Sequence, residues 1–99
     1  MYDTELQQTF LNSIVVLEQK AKEDKWCIYN NHCLLRVIYD YIFLDDWRNH
    51  ISNKDIAVYK QLNKEQLNRG LKLIDKLLVS DKYYIELLNY ASLKWRNKC

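Results

Sequence analysis

His32-Cys33-Leu34-Leu35-Arg36-Val37-Ile38-Tyr39-Asp40-Tyr41-Ile42-Phe43-Leu44 is apolar on almost every side. A buried strand uses the same β-branched and aromatic residues. The run, however, exceeds the roughly 5–6 residues of a typical strand, so its length favours a helix. Asn30 or Asn31 is placed to cap it, because a short polar side chain accepts from the free N–H groups of a first turn. A helix without a wide polar face belongs in the middle of its bundle. The segment at about 31–44 is therefore expected to be the central helix.

Helices also fit the residues on either side. Upstream, Leu6, Phe10, Ile14 and Leu17 recur at the helical period, with Leu11 and Val15 widening the stripe. Asp3 or Thr4 is the expected cap, Thr4 and Gln7 have capping-box spacing, and the helix should fade between Lys20 and Lys25. Downstream, Asp45 to Asn53 reads as a loop or a turn of helix, and a short helix is expected from Ser52 or Asn53 to about Gln61. Asn63 with Gln66 forms a capping box, and Leu62 with Leu67 has the spacing of a hydrophobic staple. Leu67, Leu71, Ile74 and Leu78 give that helix one stripe. Gly70 inside it weakens it by about 1 kcal/mol relative to Ala, which close approach of a neighbouring helix or simple tolerance would explain. Ser80 is expected to cap a last helix with Tyr84, Leu88, Ala91 and Trp95 on its inner face, broadened by Ile85 and Leu87.

The composition agrees. Ninety-nine residues suffice for one core, so the chain 1–99 is read as a single all-α domain, a bundle of four to five short helices. There is one Gly and no Pro. Tight strand-connecting turns recruit Gly, so the near absence of both residues also favours helices. The formal charge is +2, unevenly spread: residues 1–51 hold 5 Lys and Arg against 8 Asp and Glu, and residues 52–99 hold 10 against 5. The basic half suits an acidic partner, although a solvated lysine face gives the same pattern. Cys27, Cys33 and Cys99 make an odd set without framework spacing, as expected for free thiols in a reducing compartment. Met1 to Glu5 is acidic and no apolar signal core follows. The run from Cys33 to Leu44 contains Arg36 and Asp40 and is too short to span a bilayer. A soluble cytoplasmic protein with no membrane association is expected.

Two features could carry function. His32, Arg36 and Asp40 fall at i, i+4 and i+8 on the apolar helix, so they project from one side in successive turns. Arg36 and Asp40 can then pair directly. A buried guanidinium must be satisfied, either by an internal network or by an anion in a cleft. The second feature is aromatic residues outside the helix stripes, including Trp26, Tyr39, Trp47 and Tyr59. Trp47 and Arg48 share a polar loop, and Trp, Tyr and Arg dominate binding hot spots. The partner-binding candidates are Trp47, Arg48, Tyr39 and Tyr59, unless Trp47 folds back to plug the bundle.

No catalytic residue is assigned. Cys33 beside His32 is not a nucleophile–base pair, because adjacent helical side chains diverge by about 100°; Cys33 reads as a small buried hydrophobe. The Cys27, His32, Cys33 and His50 spacing matches no common zinc pattern, so neither metal nor cofactor is expected. The leading expectation is a protein-binding or regulatory module. Small inhibitory or accessory proteins of phages and mobile elements share this size and makeup, a comparison of type and not of motif. The alternatives are a nucleic-acid binder using the basic half and an anion pocket around His32, Arg36 and Asp40. A tyrosine-rich bundle of this size also suits a homodimer.

Overall fold

The computed structural model describes residues 4–96. They form four α-helices: α1 (Thr4–Glu23), α2 (Asn31–Phe43), α3 (Lys64–Leu78) and α4 (Lys82–Trp95), with single 3-10 turns at Trp47–Asn49 and Val58–Gln61 and no strand among the described residues. No helix among the described residues is long and apolar enough to cross a membrane.

The central helix starts where a short polar side chain allows it. Asn30 is extended and its side chain accepts from the Cys33 N–H. At the other end Leu44 takes a left-handed conformation (φ 53°) and returns its N–H to the carbonyls of Asp40 and Tyr41. That stop is usually made by Gly. Helix α2 packs against α1, α3, α4 and the 47–49 turn, so its apolar circumference has a neighbour on each side. Leu34, Val37, Ile38 and Ile42 are buried from it, against Phe10, Ile14 and Leu17 of α1 and Leu67, Ile74 and Leu77 of α3 within one core.

Helix α1 runs on to Glu23, through the charged stretch where it was expected to fade. Lys20 pairs with Asp24, and Lys22 with Glu18, at the i, i+4 spacing that supports such a stretch. Asp3 lies outside the described residues. Val15, read as part of the stripe, is exposed, and Gln7 and Ala21 are buried in its place.

The capping box at α3 is complete. Asn63 accepts from the Gln66 N–H at 2.8 Å, and the Gln66 side chain accepts from the Asn63 N–H at 2.9 Å. Leu62 and Leu67 are both fully buried beside it. Asn63→Ala should therefore lower stability by about 1 kcal/mol, or roughly 4–8 °C in melting temperature. A thermal melt followed by circular dichroism reads this directly, and an unchanged midpoint contradicts it.

Further expectations are corrected. The helix expected from Ser52 or Asn53 to Gln61 is only the 3-10 turn Val58–Gln61. The Gln61 side chain donates to the carbonyls of Asn53 and Ile56, which satisfies that backbone without a helix. The buried face of α3 is Leu67, Gly70, Leu73, Ile74 and Leu77, one position off the expected stripe; Leu71 and Leu78 are only partly buried. Gly70 explains the rotation, because α3 rests its bare backbone on α1 and α2. A Cβ there would lie 2.8 Å from Phe10 Cε1 and 3.1 Å from Ile42 Cδ1. The last helix is capped by Asp81, which accepts from the Tyr83 N–H, whereas Ser80 donates back to the Lys76 carbonyl. Its fully inward residues are Ile85 and Ser92 alone; Leu87 is exposed.

Candidate binding cleft

The three polar residues of α2 descend from solvent into the core. His32 is exposed, Arg36 is half-buried and Asp40 is 0% exposed. One helical turn per step carries the line inward because α4 lies over the lower end of α2.

Arg36 and Asp40 do not pair directly, contrary to the expectation from their spacing. Each is taken by α4. Arg36 donates from Nη1 to Ser92 Oγ (3.0 Å) and from Nη2 to Asn89 Oδ1. Asp40 accepts from Arg96 Nε (2.8 Å) and Arg96 Nη2 (3.1 Å), from Ser92 Oγ and from the Trp47 N–H (2.9 Å). Ser92 thus bridges the two, accepting from Arg36 and donating to Asp40. Four donors fill the acceptor capacity of one carboxylate, which is what a fully buried charge requires.

The network continues into the loop. Arg96 Nη2 also lies 3.5 Å from Asp46, and Asp46 accepts from Arg48 Nε and Nη2 at 2.7–3.1 Å and from the Arg48 N–H. These bonds hold the 3-10 turn Trp47–Asn49 against α2 and α4. Arg48, with Arg96 behind it, draws the Asp46 carboxyl down from its ordinary 3.8 to about 2. The sign follows from the depressed value: Asp46 stabilises the fold above the usual carboxylate range, and that contribution fades as pH falls from about 4 toward 2. Melting temperature should therefore drop between about pH 5 and pH 2.5, and Asp46→Asn should flatten the drop. Equal slopes in the two proteins would refute the assignment.

The turn places Trp47 edge-on against Tyr39, with ring centroids 6.1 Å apart, and Tyr39 stacks in turn on Phe10 at 6.1 Å. Trp47 is half-buried, with Lys54 Nζ 5.5 Å from its ring. It both plugs the end of the core and shows one face. Between α2, this turn and the second 3-10 turn opens a cleft of about 530 Å³. Its floor is Leu35, Arg36 and Tyr39 of α2, and Leu11 of α1 contributes at the side. Trp47 and Arg48 form one wall; Ala57, Val58 and Tyr59 also line it. His32 lies at the rim end, and Arg96 is reached from α4.

All four partner-binding candidates and two members of the polar line thus share one cleft, and Asp40 lies in the network behind it. Tyr39, however, is 5% exposed and is more a floor than a contact of its own. Burial pushes its phenol well above the ordinary range, so it meets the cleft as a neutral group. Burial, and after it the nearby Arg96, pulls Arg36 below its ordinary value. Nothing in the sequence pattern singled out Asn89 or Arg96. Ser92 carried a signal: it sits seven residues after Ile85, on the inner face of an otherwise apolar stripe.

The other chemistry-bearing residues lie apart. Cys33 is half-exposed, not buried as expected, and Cys27 is exposed; both are free. Basic residues of the C-terminal half spread over α3 and α4. Lys64, Arg69 and Lys72 border a separate depression on α3 together with Glu65 and Asn68, so acidic and neutral groups interleave with them. The chain was compared with protein-family models, with curated proteins and with solved structures, and it matches none of them.

Proposed function

We propose that the chain is a binding module, a small regulatory or accessory protein that receives a segment of a partner protein in the cleft between α2 and the 45–61 connection. One observation carries this reading. Three successive elements, α2 with Arg36 and Tyr39, the first 3-10 turn with Trp47 and Arg48, and the second with Tyr59, line a single cleft, which Leu11 and Arg96 join from distant parts of the sequence. Aromatic and arginine side chains around a partly desolvated depression are the makeup of a binding hot spot. The supporting network holds Arg36, the Trp47 backbone and Arg48 in place, so little ordering of these is needed on docking, and preorganisation of this kind favours affinity.

The test is site-specific photocrosslinking. A benzophenone side chain replaces either His32, at the cleft rim, or Lys72, on the outer side of α3. A defined adduct should form from position 32 and not from position 72. It should be lost in Trp47→Ala, assayed well below that variant's melting temperature so that unfolding is not the cause. Equal adducts from both positions, or indifference to Trp47→Ala, would overturn the proposal.

A further inference from the structure

Three arginines, Arg36, Arg48 and Arg96, line the cleft, and no carboxylate-bearing residue lines it among the described residues. Among the described residues, the carboxylates bonded to these arginines are Asp40 and Asp46, and both are committed. Asp40 is filled by Arg96, Ser92 and the Trp47 N–H, and Asp46 is held by Arg48 with Arg96 beside it. Arg36 is left with neutral acceptors, Ser92 and Asn89. Those bonds use one N–H on each terminal nitrogen. Of the five that a guanidinium offers, Nε–H and one on each terminal nitrogen have no partner among the described residues. The three arginines thus hold one positive charge more than the two aspartates balance, and the Lys54 ammonium lies beside the Trp47 wall as well.

We infer that the cleft recognises a single carboxylate on an acidic side chain of the docked segment, received by Arg36, with a bulky apolar neighbour lying against Trp47, Leu35 and Val58. The inference rests on the cleft being the docking site. The pairing of the other two arginines decides between anions. One carboxylate presents two oxygens that match a single guanidinium edge, and of the three arginines Arg36 alone has no carboxylate partner among the described residues. A phosphate carries about −1.5 to −2 and draws on several unpaired cations, whereas Arg48 and Arg96 are already paired. The apolar walls beside Arg36 leave a side-chain-sized space next to the anion. The cleft is a trough between α2 and the connection, which suits a side chain on a passing segment.

The test follows the Trp47 indole N–H signal of the full chain by nuclear magnetic resonance. The probes are 3-phenylpropionate, 3-phenylpropionamide and phenyl phosphate. Two terminally blocked pentapeptides join them, with either glutamate or glutamine next to a phenylalanine. The acid should bind at least about 10-fold more tightly than its amide, and the glutamate peptide at least about 10-fold more tightly than the glutamine one. Arg36→Gln should abolish both preferences, Arg36→Lys should keep part of them, and Lys72→Gln should leave them intact. The acid-against-amide comparison uses the unaltered chain, so it decides the matter even if a variant folds poorly. Equal binding of acid and amide, tighter binding of phenyl phosphate, or binding of the free acid without the blocked glutamate peptide would each overturn the inference. Crosslinking from position 32 is unaffected by these outcomes, so the docking proposal fails or survives separately.

Discussion

Asp40→Ala should lower stability by about 3–5 kcal/mol, the largest loss expected from any single polar substitution in this chain. The carboxylate is fully buried and holds four donors, two of them on an Arg96 side chain that is itself only 9% exposed. Removing it leaves a buried guanidinium, the Ser92 hydroxyl and the Trp47 N–H without their acceptor, and each must be rehydrated or stay unsatisfied. A domain of this size shifts roughly 4–8 °C per kcal/mol, so the melting point should fall by more than about 12 °C. Replacing both partners by apolar groups, Asp40→Leu with Arg96→Met, should be milder than Asp40→Ala alone, because no charge is then stranded. Urea unfolding of the three variants checks the order. A double variant less stable than Asp40→Ala would mean that the pair holds the bundle through contacts other than charge and hydrogen bonding.

The second large effect is expected at Gly70. Two terms oppose each other in Gly70→Ala. Helix propensity gains about 1 kcal/mol, and overpacking costs about 1–3 kcal/mol. The added carbon would sit 2.8 Å from a ring atom of Phe10 and 3.1 Å from Ile42 Cδ1, and both side chains are 0% exposed within the packed core. Overpacking should win, giving a net loss of about 1 kcal/mol for alanine. For Gly70→Val the loss should reach about 3 kcal/mol, because two further methyl groups enter the same gap. Pairing Gly70→Ala with Phe10→Leu tests the cause. The double variant should be more stable than the sum of the single losses, by a coupling within the usual 0.5–3 kcal/mol for residues in contact. Strict additivity would place the strain elsewhere.

Gly70 also marks how far the sequence could be read. Its position in a helix was legible, and so was the possibility of close approach. Which helix approaches depends on how α1 and α2 meet α3, and no local pattern encodes that. The same holds for the expected stripe of α3. Leu67 and Ile74 belong to both faces, and only the rotation set by Gly70 selects Leu73 and Leu77 over Leu71 and Leu78. Caps with their own local hydrogen bonds were read well, as at Asn30 and Asn63, because the signal and the structure it makes lie within a few residues. The choice of Asp81 over Ser80 was missed, since either can cap and the deciding geometry is the turn from α3. At the cleft, i, i+4, i+8 spacing correctly set His32, Arg36 and Asp40 on one side of α2. It suggested the wrong pairing, because the side chains that took Arg36 and Asp40 lie more than fifty positions away in sequence.

That separation bears on the order in which the molecule comes apart. Helix α4 buries only Ile85 and Ser92 fully and leans mainly on α2, so it is the segment with least to lose on local opening. Arg96 caps its C-terminus, and its inner side supplies Asn89 and Ser92. Partial detachment of this one helix therefore frees Arg36, takes Arg96 from the 47–49 turn and loosens the cleft while α1, α2 and α3 still share their core. Amides of α4 should exchange with solvent at lower protection than those of α2, and recognition by the cleft should fade on warming before the helical signal does.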